Sequence, residues 1–292
     1  MIQKSHLHKY TILGYTYFMA KLTVKDIFDL KGKRQLTEVY VSTPAEAAAC
    51  EAADIDMIIT GERGEIKSFR AAAPNTFFTV GFINSGNYVN ADECIRNAFK
   101  ALNQGADAVY AGVSLKSVEA MANEGVPVVG HVGFIPYKST WAGGVKAVGK
   151  TAINALKVYQ RTLAYQEAGA IGVEMELVPH QMAAEISKRV EIMVLSMGSG
   201  TGCDGQYLFA TDILGTNTGH IPRHAKVYGS LAAGYARIQE ETIAAFTDFR
   251  IDVSNGGYPQ VEHVVKAKDE EFIKFMEALA KASSKGEIRE YL

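Results

Sequence analysis

The chain has 292 residues, 48% hydrophobic and 21% charged, which supplies ample apolar material for a sizeable core. A net charge of -2, a pI near 6.4 and the lack of a basic cluster interleaved with aromatics argue against a nucleic-acid partner. No apolar run approaches the roughly 18 residues of a membrane span, and three cysteines without paired spacing, Cys50, Cys94 and Cys203, read as reduced thiols of a cytoplasmic protein.

Residues 1–18 lack the apolar stretch and small-residue cleavage site of a signal peptide. Met19-Ala-Lys-Leu-Thr-Val-Lys-Asp26 is a more natural start, so 1–18 reads as an N-terminal extension, a solvated tail, before one domain over 19–292. A short helix over 23–30 places Val24, Ile27, Phe28 and Leu30 at helical spacing and stops at Lys31-Gly32-Lys33. Strand-like runs follow at 36–41, 57–60, 76–81, 108–113, 126–131, 172–177 and 192–197, with a short eighth candidate at 206–210. Helical stretches lie between them at 44–53, 91–104, 114–123, 150–168 and 180–189. Thr43 and Asn90 are placed to cap the helices that follow them, and Gly105 and Gly169 sit where helices end. Two long amphipathic helices, 227–249 and 269–283, complete the chain.

Alternating strands and helices imply parallel pairing with right-handed crossovers. A strand count near eight, with no Gly-x-Gly-x-x-Gly after the first strand, predicts a closed (β/α)8 TIM-type barrel with extra C-terminal helices rather than an open doubly-wound sheet.

A barrel presents chemistry at the C-terminal ends of its strands. Those ends carry Glu62, Arg63 and Glu65 after the second strand and Gly81 to Gly86 after the third. Tyr110 is on the fourth, His131 ends the fifth, and Glu174 and Glu176 are on the sixth. The seventh runs into Gly198-Ser-Gly-Thr-Gly-Cys-Asp-Gly205. Strand alternation puts Glu174, Glu176 and Val178 on one face. A partly desolvated carboxylate at a barrel mouth suits a general base, and Glu176 has that position; a structural ion pair would use the same residue. The loop after His131 holds Lys138, Trp141, Gly143, Gly144 and Lys146. His131 also fits a hydrogen-bonded strand-end histidine before a surface connection. The Gly198–Gly205 loop, with Ser199 and Gly200, has small residues and free N–H groups that fit a carboxylate or phosphate, or a tight turn.

Gly130-His-Val-Gly-Phe-Ile-Pro136, Gly143-Gly-Val-Lys-Ala-Val-Gly149, Glu176-Leu-Val-Pro179, Gly198-Ser-Gly, Cys203-Asp-Gly-Gln206 and Gly219-His-Ile-Pro222 occur in that order. The series resembles the ketopantoate hydroxymethyltransferase (3-methyl-2-oxobutanoate hydroxymethyltransferase) family of the phosphoenolpyruvate mutase/isocitrate lyase superfamily, from about Lys21 to Lys226. The resemblance implies a barrel that transfers a hydroxymethyl group from methylenetetrahydrofolate to a 2-oxo acid held by Mg2+. It implies Glu176 as the base, His131 as a pocket histidine, and pantothenate biosynthesis as the setting. Such barrels assemble, so a homo-oligomer through the outer helices is expected.

The chain departs from the pattern around the metal. Thr60-Gly61-Glu62-Arg63 stands where the family has V-G-D-S. The family's second acidic ligand falls at Gly81, and its strand-four lysine and glutamate fall at Tyr110 and Gly112. Glu62 is then the one retained acidic position, with Glu65 or Asn84 as compensating candidates. Two alternatives follow. One is a lyase or hydrolase of the superfamily acting on another 2-oxo acid or a dicarboxylate with little or no metal, gripping its substrate with Arg63, Lys138 or Lys146 and moving protons through Tyr110 and His131. The other is a non-catalytic binding barrel.

Overall fold

The computed structural model describes residues 8–12, 15–19, 21–62, 65–82 and 90–282. The chain divides into two compact units, Met1–Ala232 and Ala233–Leu292.

The first unit opens with an antiparallel hairpin, β1 (His8–Ile12) and β2 (Tyr15–Met19). Within and at the end of the segment read as a solvated tail, His8–Ile12 and Tyr15–Met19 are therefore strand, in keeping with their Thr, Tyr and Ile content. Helix α1 (Val24–Leu30) follows, started by a capping box in which Thr23 and Asp26 bond each other's backbone N–H. The parallel strands are β3 (Leu36–Tyr40), β4 (Met57–Gly61), β5 (Phe77–Phe82), β6 (Ala108–Ala111), β7 (Val128–Gly133), β8 (Gly172–Glu176), β9 (Met193–Met197) and β10 (Gly205–Phe209). They close in the order β10-β3-β4-β5-β6-β7-β8-β9, the expected eight-stranded barrel. Between them run α2 (Pro44–Ala52), α3 (Ile66–Ala72), α4 (Ala91–Asn103), α5 (Leu115–Asn123), α6 (Ser139–Ala142), α7 (Ala152–Glu167) and α8 (His180–Ser187), and α9 (Ala210–Ile213) follows β10. Helix α3 has no counterpart in the sequence reading; it is 7 residues long and ends at Ala73-Pro74, too short for its periodicity to stand out.

The pleat sorts side chains into two cores. Val39, Val41, Ile58, Phe78, Val80, Val109, Val132, Val173, Met175 and Val194 face outward, against the helices. Leu36, Met57, Ile59, Phe77, Ala108, Val129, Met193 and Leu195 face inward and fill the lower barrel. Such layers, contributed by alternate strands, close the barrel as a packed core. A branched aliphatic side chain contributes about 1.5–3 kcal/mol when fully buried, so this sorting fixes the register: a one-residue slip of any strand would exchange its two faces.

The second unit comprises most of α10 (Leu231–Asn255) and α11 (Asp269–Lys281), with Phe249 packed edge-on to Tyr258 between them. Both helices carry exposed apolar side chains, among them Ile243, Phe246, Phe272, Ile273 and Phe275. No helix is long and apolar enough to cross a membrane among the described residues.

Candidate active site

Strand β8 delivers the two carboxylates. Val173 and Met175 take the outward positions, so Glu174 and Glu176 point into the barrel. The alternation stops there. Leu177 has φ +50°, a left-handed conformation that costs a non-glycine residue of order 1–3 kcal/mol and is usually kept for a local purpose. This turn sends Val178 outward to join Val173 and Met175, which corrects the expectation that Val178 shares a face with the glutamates. It also fixes the end of β8. The Glu176 carbonyl accepts the Phe134 N–H at 2.8 Å, Leu177 N–H donates to the Met197 carbonyl at 2.9 Å, and the Leu177 carbonyl accepts the Val148 N–H at 3.0 Å.

His131 pairs with Glu174 in the β7–β8 register. Its Nε2 lies 2.7 Å from the Phe134 carbonyl and 3.3 Å from Glu176 Oε2. Its Nδ1 meets the Tyr110 hydroxyl and lies 3.5 Å from Glu174 Oε2. His131, Tyr110, Glu174 and Glu176 are thus one cluster. Glu38 on β3, Thr79 on β5 and Tyr207 on β10 are buried on the same inward face, so the barrel's middle layer is largely polar. A barrel interior is ordinarily branched aliphatic. Among the described residues, no lysine or arginine is buried. Burial pushes the Glu38 carboxyl up to about 8. Burial, then the charges of Glu38 and Glu176, hold Glu174 well above the carboxylate range against an opposing hydrogen bond from Tyr110. Burial, then the charge of Glu174, raises the phenols of Tyr110 and Tyr207, with Glu176 adding to the first and Glu38 to the second. Glu38 Oε2, Thr79 Oγ1 and Glu174 Oε1 have no hydrogen-bond partner among the described residues.

Above this layer lies a cavity of about 890 Å³, and Glu176 is at its wall. Its lining includes Lys146, Gly198, Gly200, Gln206, His220, Arg223, His224 and Lys226. Lys146 and Gly200 were expected at the site. His220, Arg223, His224 and Lys226 were not read as site residues; the basic pattern after Gly219 was the available signal. His224 has its affinity for a proton lowered by burial, with Glu176 and Asp212 opposing and Arg223 adding to the effect. It is packed so closely on Gly198 that a Cβ there would lie 2.9 Å from its ring. Gly200, at φ +90°, would bring a Cβ within 2.5 Å of His180. The glycines therefore let the backbone of the β9 loop close under the cavity.

Other expected residues lie elsewhere. Ser199 is fully buried: its hydroxyl donates to the Met175 carbonyl at 2.8 Å and accepts the Val178 N–H at 3.0 Å, so it ties β8 to β9. Lys138 is exposed beside the Tyr137 ring, and Trp141 is 91% exposed. Arg63 and Asn84 lie outside the described residues. Glu65 is exposed at the start of α3, where it accepts the Ser68 hydroxyl. Glu62 follows β4, with its N–H donated to the Gly81 carbonyl at 3.1 Å. Glycine at 81 and 112 brings no side-chain ligand, and no group of three or more His, Cys, Asp or Glu side chains able to hold a metal occurs among the described residues. These residues do not fit the divalent ion that the resemblance implies, since a hard cation needs several oxygen ligands.

The family model described as ketopantoate hydroxymethyltransferase matches residues 64–261. The chain is 31% identical over 278 residues to the 3-methyl-2-oxobutanoate hydroxymethyltransferase of Geobacillus sp. (strain WCH70), spanning 86% of this chain and 96% of that protein. It is 30% identical over 287 residues to 3-methyl-2-oxobutanoate hydroxymethyltransferase 1 of Methylibium petroleiphilum, spanning 89% and 95%. A phosphonopyruvate hydrolase solved with oxalate and Mg++ shares the fold at 12% identity and a TM-score of 0.50, over 88% of this chain and 99% of that one.

Proposed function

This chain belongs to the ketopantoate hydroxymethyltransferase family, and from that premise we propose that it carries out aldol-type C–C bond chemistry on a 2-oxo acid, transferring a hydroxymethyl group to 3-methyl-2-oxobutanoate. The observation that carries the reading is Glu176: it lines the cavity, and His131 Nε2 stands 3.3 Å behind it. Glu176 removes the proton next to the carbonyl, which makes the enolate that attacks the one-carbon unit. Lys146, Arg223 and Lys226 supply positive charge around the cavity for the carboxylate of the acid and for the developing oxyanion, and His224, with its lowered proton affinity, adds a neutral hydrogen-bonding group. Methylenetetrahydrofolate is the donor in this reading. Glu62 is the one carboxylate at the metal positions of the resemblance, and no step here is routed through a metal. The cell compartment is the cytoplasm, which suits three buried free cysteines. Burial raises their thiols, Cys50 to about 11 and Cys203 to about 12, so they are poor nucleophiles. A homo-oligomer built through the outer helices is part of the same reading, supported by the apolar side chains exposed on α10 and α11.

A second reading is favoured by Gly81, Tyr110 and Gly112, which stand where the family has a metal ligand, a lysine and a second ligand. In it, the same base and cationic wall serve another 2-oxo acid or a dicarboxylate. The deciding assay is hydroxymethyl transfer from methylenetetrahydrofolate to 3-methyl-2-oxobutanoate, before and after dialysis against EDTA. Product formation supports the first reading, and its survival without metal removes Mg2+ from the account. No product, together with turnover of a different 2-oxo acid or dicarboxylate, replaces it with the second.

A further inference from the structure

His131 is buried with both ring nitrogens engaged. The Phe134 carbonyl at 2.7 Å can only accept, so Nε2 carries a hydrogen. Nδ1 faces the Tyr110 hydroxyl, and Glu174, whose Oε2 lies 3.5 Å from the same Nδ1, is within hydrogen-bonding reach of that hydroxyl. A phenol has one hydrogen, yet Tyr110 stands between two groups that each need a bond. The hydrogens along the line can be ordered in two ways. In one, the Glu174 carboxyl donates to the Tyr110 oxygen and Tyr110 donates to Nδ1. In the other, Nδ1–H donates to the Tyr110 oxygen and Tyr110 donates to a Glu174 carboxylate. Both orders contain the same number of protons and use the same heavy-atom positions.

We propose that Glu174, Tyr110 and His131 form a buried proton relay behind Glu176, in which Glu174 stores the proton and Tyr110 passes one on to His131. In the transfer, the Glu174 O–H bond breaks as a new O–H forms on Tyr110. The original Tyr110 O–H breaks as N–H forms at His131 Nδ1. Glu174 ends as a carboxylate, Tyr110 as a neutral phenol and His131 as an imidazolium, with no proton gained or lost by the protein. The new positive charge lies 3.3 Å from Glu176 Oε2. There it offsets the negative charge that Glu176 carries before it takes the substrate proton and that the bound acid carries afterwards. The groups facing the line are Glu38 on β3, Glu176 on β8, Tyr207 on β10, Tyr165 on α7 and Tyr137 in the loop after β7. Burial keeps the stored proton in place at rest, because an ionised Glu174 would lie unsolvated in this layer and near the carboxylate of Glu176. Glu176, not Glu174 or Tyr110, is the member of the line at the cavity wall, so Glu174 and Tyr110 are positioning residues.

The relay rests on the reading of Glu176 as the base, and its test separates the two. Glu174→Gln keeps the side chain's shape and can still donate to Tyr110 but holds no transferable proton; Tyr110→Phe cuts the line while keeping the ring. Full-length protein labelled with 15N-histidine is followed by NMR with and without 3-methyl-2-oxobutanoate, beside deuterium uptake into that acid over a pH series. In the wild type, His131 Nδ1 gains a proton when the acid binds. In both variants it stays unprotonated, and the kcat for exchange falls roughly 10- to 100-fold, less than loss of a direct base, with KM changed by no more than about twofold. A wild type that exchanges deuterium beside a Glu174→Gln variant with the same kcat, pH profile and His131 spectrum overturns the relay and leaves the base intact. A wild type that does not exchange removes the base reading, and the nitrogen spectra then decide the relay alone: identical His131 titrations in wild type and Glu174→Gln overturn it, and different ones support it.

Discussion

Replacing Glu38 with Gln should change how stability depends on pH, by an amount that follows from its surroundings. The side chain is 2% exposed in the middle layer of the barrel, and burial moves its carboxyl from the ordinary 4.5 to about 8. The folded protein therefore holds a proton there that the unfolded chain releases. A group raised in this way contributes stability that is complete below about pH 4.5 and is lost as pH climbs to about 8. At 1.36 kcal/mol per pH unit, the loss amounts to about 5 kcal/mol across that window and about 3 kcal/mol by pH 7. Gln does not titrate, so the wild-type slope should flatten in Glu38→Gln. A buried amide without a partner adds a cost of about 1–3 kcal/mol, but that cost is independent of pH and leaves the slope readable. Urea midpoints measured between about pH 5 and pH 8 give the comparison directly. The variant should gain on the wild type steadily as pH rises. Parallel pH profiles for the two proteins would refute the argument that the middle layer holds a neutral carboxyl at position 38.

Gly133 ends β7 at φ +86°, and a Cβ there would lie 2.2 Å from the Glu176 carbonyl. Gly133→Ala should lower stability by about 2–4 kcal/mol and slow turnover by shifting Glu176, read from thermal unfolding and steady-state rates together; unchanged values for both would mean that the approach is not tight. Arg223→Ala should raise KM for the 2-oxo acid roughly 10- to 100-fold, the worth of a charge-assisted hydrogen bond, with a smaller effect on kcat. A KM within about twofold of wild type would take Arg223 out of the carboxylate grip.

Much of the barrel was legible because buried parallel strands read as apolar runs and their helices carry caps. Thr43 and Asn90 accept the N–H three residues on, as their spacing implies, and Gly105 and Gly169 follow α4 and α7 with positive φ. Glu176 stood out because a carboxylate at a strand end before Val178-Pro179 has few structural uses. What stayed hidden depends on direction or on distance along the chain. One charge in an apolar run, as at Glu38, does not reveal whether it faces water or the barrel axis. Val178 was misplaced because nothing in Glu-Leu-Val-Pro announces that Leu177 adopts φ +50° and reverses the alternation. Arg223 and His224 come from an irregular segment more than forty residues after Glu176, and their meeting at one cavity is a result of barrel closure. Ser199 looked like an anion ligand within a glycine loop, but burial turned its hydroxyl toward the β8 backbone.

The central claim is that Glu176 takes a proton from carbon in a bound 2-oxo acid. It is tested most directly by following deuterium from solvent into the carbon next to the carbonyl of 3-methyl-2-oxobutanoate, with wild type and Glu176→Gln side by side. The account predicts exchange by the wild type and a rate about 10²–10⁴ lower in the variant, with the acid still bound. Exchange at the same rate in both proteins would contradict it.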